Sequence, residues 1–171
     1  MPSPCPDCGF DDHAVSPADA AVALRSFPRR YRSLFAVPAE DMGEDPVRRA
    51  GTTGWSALAH ATWAGLSFDA VAEALHQVLV HDHPDISVPS LDPPAPPVDQ
   101  PTAAVLDRLA RAAEMLAVAI DGAGGGQWKR TGRTTSGERS ALDLVRVAVH
   151  QGVHHLRLAE RVLKEVTGRP G

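Results

Sequence analysis

The sequence predicts an all-α protein, an up-down-type four-helix bundle with long crossover connections and an irregular N-terminal head that carries a CxxC pair. Four stretches repeat apolar residues at helical spacing, and each opens on residues that favour a helix start. The stretches between them are rich in Pro, Gly and Asp, and none alternates apolar and polar residues as a half-buried strand would. At 171 residues, the chain is long enough to bury one real core. We therefore divide it into a head, residues 1–15, and a single bundle domain, residues 16–171.

Helix one begins at Ser16-Pro17-Ala18-Asp19, where a hydroxyl caps the first amides, proline occupies the first turn and an acid faces the positive helix end. Ala20, Leu24, Phe27, Tyr31, Leu34 and Phe35 form its stripe. Arg25, Arg29, Arg30 and Arg32 fall mostly off that stripe and read as a solvated basic face, with an acidic ligand as the alternative. Pro28 removes one hydrogen bond and crowds the preceding turn, which predicts a kink or break near Ser26–Phe27. Residues 37–54 are a polar connection.

Helix two begins near Gly54-Trp55-Ser56 and runs to about Val80. It is apolar over much of its circumference and should be largely buried, which puts His60 inside the core. Residues 81–101 contain seven prolines and can be neither a helix nor a central strand. They read as a lid or a wrapping strap that carries His81, Asp82, His83 and Asp85. Pro101-Thr102 opens a clean amphipathic third helix with Val105, Leu106, Leu109, Ala113, Leu116 and Ile120 on one face, and Gly122 to Gly126 stop it. The following loop holds Trp128, Lys129, Arg130 and Arg133. Its cationic side chains could grip a carboxylate or phosphate of a small ligand, with Trp128, Arg130 and Arg133 as candidate ligand-binding residues. Ser140 caps the fourth helix.

That last helix contains His150-Gln151-Gly152-Val153-His154. Residues four apart lie on one helical face about 5–6 Å apart, so two imidazoles at this spacing can reach one metal ion. The pair sits on an apolar stripe with Val147 and Leu158, and buried imidazoles need a partner, either a metal or hydrogen-bonding groups. A third inward histidine, His60, on another buried helix supplies what a bare pair lacks, because bundle metal sites are built from inward side chains of facing helices. Gln151 stands where a metalloprotease HExxH motif has its glutamate base, and an amide cannot take that proton.

The head adds Cys5-Pro6-Asp7-Cys8-Gly9. Two thiolates on a tight turn fit two corners of a zinc tetrahedron, but a closed site needs two more ligands, from His13 or from the folded body. A redox dithiol and a reduced, solvent-facing tail remain open beside that reading. His155 points about 100° around the helix from His154 and is directed at another part of the chain, with this head as one candidate. Cys5, Cys8, His13 and His155 are thus candidates for a second metal.

Composition narrows the function. A net charge of −4 gives no reason to expect a nucleic-acid partner, and there is neither an apolar run of membrane-spanning length nor a secretory leader pattern. The expectation is a cytoplasmic protein that acts on a small molecule, with no nucleic acid and no membrane among its partners.

The order Trp55-Ser56-x-x-x-His60, proline-rich crossover, His150-x-x-x-His154, with the head CPDCGFD and the phrase VHQGVHHLRL, resembles the DinB-like or YfiT superfamily, which includes the N-terminal domain of mycothiol-dependent maleylpyruvate isomerase. The look is of the actinobacterial type. The resemblance implies a DinB-like bundle in which His60, His150 and His154 hold a divalent metal, zinc or nickel, with open positions for water or a thiol. It also implies a low-molecular-weight thiol S-transferase or isomerase acting on a small electrophile, with mycothiol as co-substrate, and a homodimer. No side chain is singled out as catalytic; metal-bound water or thiol would supply the chemistry. A non-catalytic, dimerising metal-binding stress protein is the alternative. So is a metal-assisted hydrolase, with Asp143, His155 or an acid of the 82–85 loop as base.

Overall fold

The computed structural model describes residues 4–36 and 45–168. Four helices make the body: α1 (Pro17–Phe35), α2 (Ala57–Val80), α3 (Thr102–Gly122) and α4 (Ala141–Thr167). Their starts follow the local chemistry. Ser16 and Ser140 each accept from the backbone amide three residues on, and Asp19 and Asp143 return the bond to the capping residue. Ser56 caps α2 through the amide of Ala59. Gly168, at φ +63°, closes α4 in the left-handed region that glycine enters without strain.

Two sequence expectations are corrected. Helix α1 runs unbroken through Pro28, which is buried inside it, and Ser26 turns its hydroxyl to the Ala23 carbonyl 2.7 Å away. Packing of Leu24, Phe27 and Tyr31, all fully buried, holds the turn together despite the lost amide. The basic loop after α3 is also not wholly irregular. Thr131–Thr134 (β1) and Gly137–Ser140 (β2) pair as a short antiparallel hairpin. Its residues are polar and its outer strand is exposed, so it lacks the alternation that makes a strand visible in sequence.

Around the bundle the helices meet in the order α1, α3, α2, α4, so the consecutive pairs α1/α2 and α3/α4 face each other diagonally. This differs from a simple up-down bundle, in which chain neighbours are spatial neighbours, and the long crossovers permit it. Two glycines set the approach of the helices. A Cβ on Gly65 would meet the Leu109 backbone at 3.3 Å, and one on Gly152 would lie 2.3 Å from the Phe27 ring.

The proline-rich crossover is fastened along the bundle as a strap. Its Ile86 amide bonds the Arg133 carbonyl and the Arg133 amide returns to Pro84, each at 2.8 Å. Gln151 then anchors it to α4 through the Pro89 and Ser90 carbonyls at 3.1 and 2.9 Å. Of the polar connection before α2, residues 37–44 lie outside the described residues. No helix among the described residues is long and apolar enough to cross a membrane.

Candidate metal centre and the adjoining cavity

Helix α4 carries three histidines on two faces, and this division organises the site. His150 and His154, one turn apart, face the N-terminal head. His155, about 100° further round, faces α2. The head is fastened over the first face by arginines of α4. Arg157 donates to the Cys8 carbonyl, Arg161 to the Asp7 carbonyl, and Arg146 to the carbonyls of Val15 and His13 at 3.2 and 2.9 Å. Phe10 packs beside the His150 ring, centroids 5.6 Å apart.

This docking brings together Cys5, Cys8, His150 and His154, whose ligand atoms all lie within 4.8 Å of one another. Cys5 Sγ is 3.7 Å from His154 Nδ1. With metal–sulfur and metal–nitrogen bonds of about 2.3 and 2.0–2.1 Å, two ligands at a tetrahedral angle stand about 3.6 Å apart. The Cys5–His154 separation matches that of ligands on one ion, and the remaining pairs lie within 4.8 Å. Both cysteines are free thiols, and Cys8 is buried. Burial pushes the Cys8 thiol up, and the neighbouring Cys5 raises it further. A bound divalent cation acts in the opposite sense, favouring the thiolate. The donor set and its spacing thus fit a metal ion.

The other two histidines form a second pair. His60 and His155 meet Nδ1 to Nδ1 at 3.0 Å, both almost fully buried. Trp55 covers them, its ring stacked on His60 at 4.7 Å and on His155 at 5.6 Å. Burial first, and neighbouring imidazoles second, push His60 down to about 4 and His155 to about 2, so both rings are neutral near pH 7. Desolvation also lowers His154. A cavity of about 320 Å³ opens beside the pair, with Trp55, Leu158, Val162 and Pro93 among its apolar walls and Asp92, Arg161 and Glu165 among its polar ones.

The structure thus regroups the residues that the sequence singled out. The predicted set His60, His150 and His154 is not assembled as one cluster: His60 is drawn to His155, while His150 and His154 join Cys5 and Cys8. His13 is exposed; its amide donates to the Asp11 carboxylate and its carbonyl accepts from Arg146. Of the loop residues considered for ligand binding, Arg130 reaches back to the Val78 and His81 carbonyls at the end of α2, at 2.7 and 2.6 Å. Arg133 pairs with Asp85 at 2.9 Å, and Trp128 packs partly buried on the core. The acids and histidines of 81–85 are exposed and outside the cluster. Sequence reading passed over Asp92, Arg161 and Glu165, for which position on the strap and on the last turns of α4 gave no motif.

Fold and site together define a four-helix bundle with a His/Cys cluster able to hold a metal ion on its last helix. No family model and no curated protein matches the sequence. Among solved structures, the chain is similar to YfiT from Bacillus subtilis, with a TM-score of 0.72 over 93% of each chain at 12% identity. That protein is described as a probable metal-dependent hydrolase with an unusual four-helix bundle topology. The likeness establishes the fold.

Proposed function

We propose that this chain is a zinc-binding protein whose ion is held by Cys5, Cys8, His150 and His154 and pins the N-terminal head to the bundle. The observation that carries this reading is the convergence of two thiols and two imidazoles within 4.8 Å across a sequence separation of about 150 residues. A Cys₂His₂ set favours zinc over nickel in octahedral surroundings, and four protein ligands leave no open position. The ion's chemistry in such a set is that of a closed centre: it neutralises two thiolates and cross-links chain segments. Arg157 and Arg161 hold the head at the Cys8 and Asp7 carbonyls so that the thiols face α4.

The test is metal analysis of the full chain after purification without added chelator. We expect about one zinc per chain, and cobalt substitution should give the thiolate-to-metal absorption and tetrahedral d–d bands of two-sulfur coordination. Both signals should vanish in a Cys5→Ser, Cys8→Ser variant and persist in His60→Gln. Zinc retained by the double cysteine variant, or lost in His60→Gln, would instead favour the three-histidine set.

A second reading is favoured by the cavity, whose wall is one ring away from the cluster: His154 and His155 centroids are 5.1 Å apart. In it the protein acts on a small molecule, as a thiol S-transferase or isomerase with mycothiol, or as a metal-assisted hydrolase. Turnover of a bimane or chlorinated electrophile with mycothiol, or of an aryl ester, by the zinc-loaded protein would support it. Equal rates in wild type and His150→Ala would remove the metal from any such activity. A homodimer and a cytoplasmic setting accompany either reading as proposals, the first checked by light scattering.

A further inference from the structure

The metal centre draws its ligands from two parts of the chain in matched pairs. Both sulfurs come from one tight turn of the head, and both imidazoles come from one turn of α4. The head is otherwise held by Arg157, Arg161 and Arg146 on its backbone carbonyls and by Phe10 beside the His150 ring. Whatever takes the two sulfurs off the ion leaves it with two imidazoles, too few for a structural tetrahedral site. The cross-link between head and bundle is then cut.

The two sulfurs can take each other off. They lie within 4.8 Å on a Cys-x-x-Cys turn, so a disulfide between them forms inside the head and asks nothing of α4. These are the chain's two cysteines, both free thiols, so each has the other as its partner within the chain. Their surroundings differ. Cys8 is 2% exposed and its sulfur is hydrogen-bonded by the Phe10 backbone, whereas Cys5 is half-buried and reachable from solvent. Oxidation follows thiolate character and exposure, and a zinc-bound sulfur is a thiolate, so Cys5 is the sulfur that a small oxidant meets first.

We propose that Cys5 and Cys8 are a site of reversible oxidation by a small peroxide, in which Cys5 reacts first, Cys8 resolves it into a disulfide, and the ion is expelled. The inference rests on the Cys₂His₂ reading of the centre. The Cys5 thiolate attacks one oxygen of hydrogen peroxide, the O–O bond breaks, and hydroxide leaves a sulfenic acid on Cys5. The Cys8 thiolate then attacks that sulfur, the S–O bond breaks, and a second hydroxide leaves as the disulfide forms. Two protons from solvent convert both hydroxides to water. Two electrons pass from the sulfurs to the peroxide, and zinc departs unchanged in charge. A small dithiol reverses the step by becoming a disulfide itself. Release of the head uncovers the His150/His154 face of α4.

The experiment adds hydrogen peroxide to the zinc-loaded full chain beside a chromogenic chelator too weak to strip the untreated protein, and follows free thiols, peptide masses and backbone hydrogen exchange. One zinc per chain should appear as both thiols disappear, and the peptide carrying the two cysteines should become lighter by about 2 Da, the loss of two hydrogens. Amides of residues 5–15 should then exchange at least about tenfold faster while those of α2 and α3 stay protected. Dithiothreitol with added zinc should restore the starting state. In Cys8→Ser, which removes the resolving sulfur, dimedone should tag Cys5 as the sulfenic acid. Zinc held and both thiols intact under about a hundredfold excess of peroxide would overturn the proposal. So would a disulfide that leaves zinc bound and head exchange slow, or oxidation of Cys8 ahead of Cys5. Untreated protein without zinc at these cysteines would remove the Cys₂His₂ reading and this inference with it, so metal content before peroxide tells the two failures apart.

Discussion

Replacing Gly152 by alanine tests how α4 is seated and therefore how its histidines are aimed. Gly152 is fully enclosed, and the added Cβ would lie 2.3 Å from Phe27 Cε2 and 2.5 Å from Cζ, well inside contact distance. Phe27 cannot swing away, because it is 0% exposed and stacked on Phe68 with centroids 5.8 Å apart. Overpacking of this kind costs about 1–3 kcal/mol. The better helix propensity of alanine returns about 1 kcal/mol, since glycine is that much worse in a helix interior. A 2.3 Å contact with a ring that cannot move puts the cost at the upper end, about 3 kcal/mol, so a net destabilisation of about 2 kcal/mol should result, read as a lower urea midpoint at unchanged slope. Combining it with Phe27→Leu, which removes the obstructing ring, should give a double variant more stable than the sum of the two single losses predicts. If Gly152→Ala were as stable as wild type or more so, the tight α1–α4 approach described here would be wrong.

Further outcomes follow from the same geometry. In the metal-free Cys5→Ser, Cys8→Ser background, stability should fall as pH drops from about 6.5 toward 4. The unfolded chain then protonates His60 at its ordinary 6.5 while the folded chain keeps it neutral until about 4. At 1.4 kcal/mol per pH unit the His60 share is a loss on the order of 3 kcal/mol, to which His155, pushed lower still, adds its own; His60→Gln should remove the first share and leave the second, and an acid limb as steep as that of the parent would refute the assignment. Arg157→Ala, which frees the Cys8 carbonyl, should weaken zinc binding about tenfold in a chelator competition with little change in helix content. Arg130→Ala should cost about 1–2 kcal/mol, because two carbonyls at the end of α2 lose their donor, and should leave zinc affinity unchanged. A change in zinc affinity there would mean that the hairpin loop does reach the metal centre.

Much of this protein is local in origin and therefore legible in the sequence. The capping serines at 16 and 140, the helical apolar stripes, the proline-rich break and the glycine stop act over a few residues each, and all four helices appear where those signals put them. The CxxC turn and the His150/His154 pair are likewise local, and each reads as half of a metal site. Which halves combine is a different question. His60 and His155 are separated by 95 positions, Cys5 and His154 by 149, and no periodicity relates them. The choice depends on the order of helices around the bundle and on a rotation of about 100° between His154 and His155, which turns one toward the head and the other toward α2. It depends also on Arg157 and Arg161 docking the head over α4, backbone contacts that leave no motif. Pro28 shows the same limit: local reasoning expects a kink or a break there, and packing in the core keeps the helix unbroken despite the lost hydrogen bond. The sequence alone determined the helices and the donor chemistry; only tertiary packing decided which donors share an ion and which pair beside the cavity.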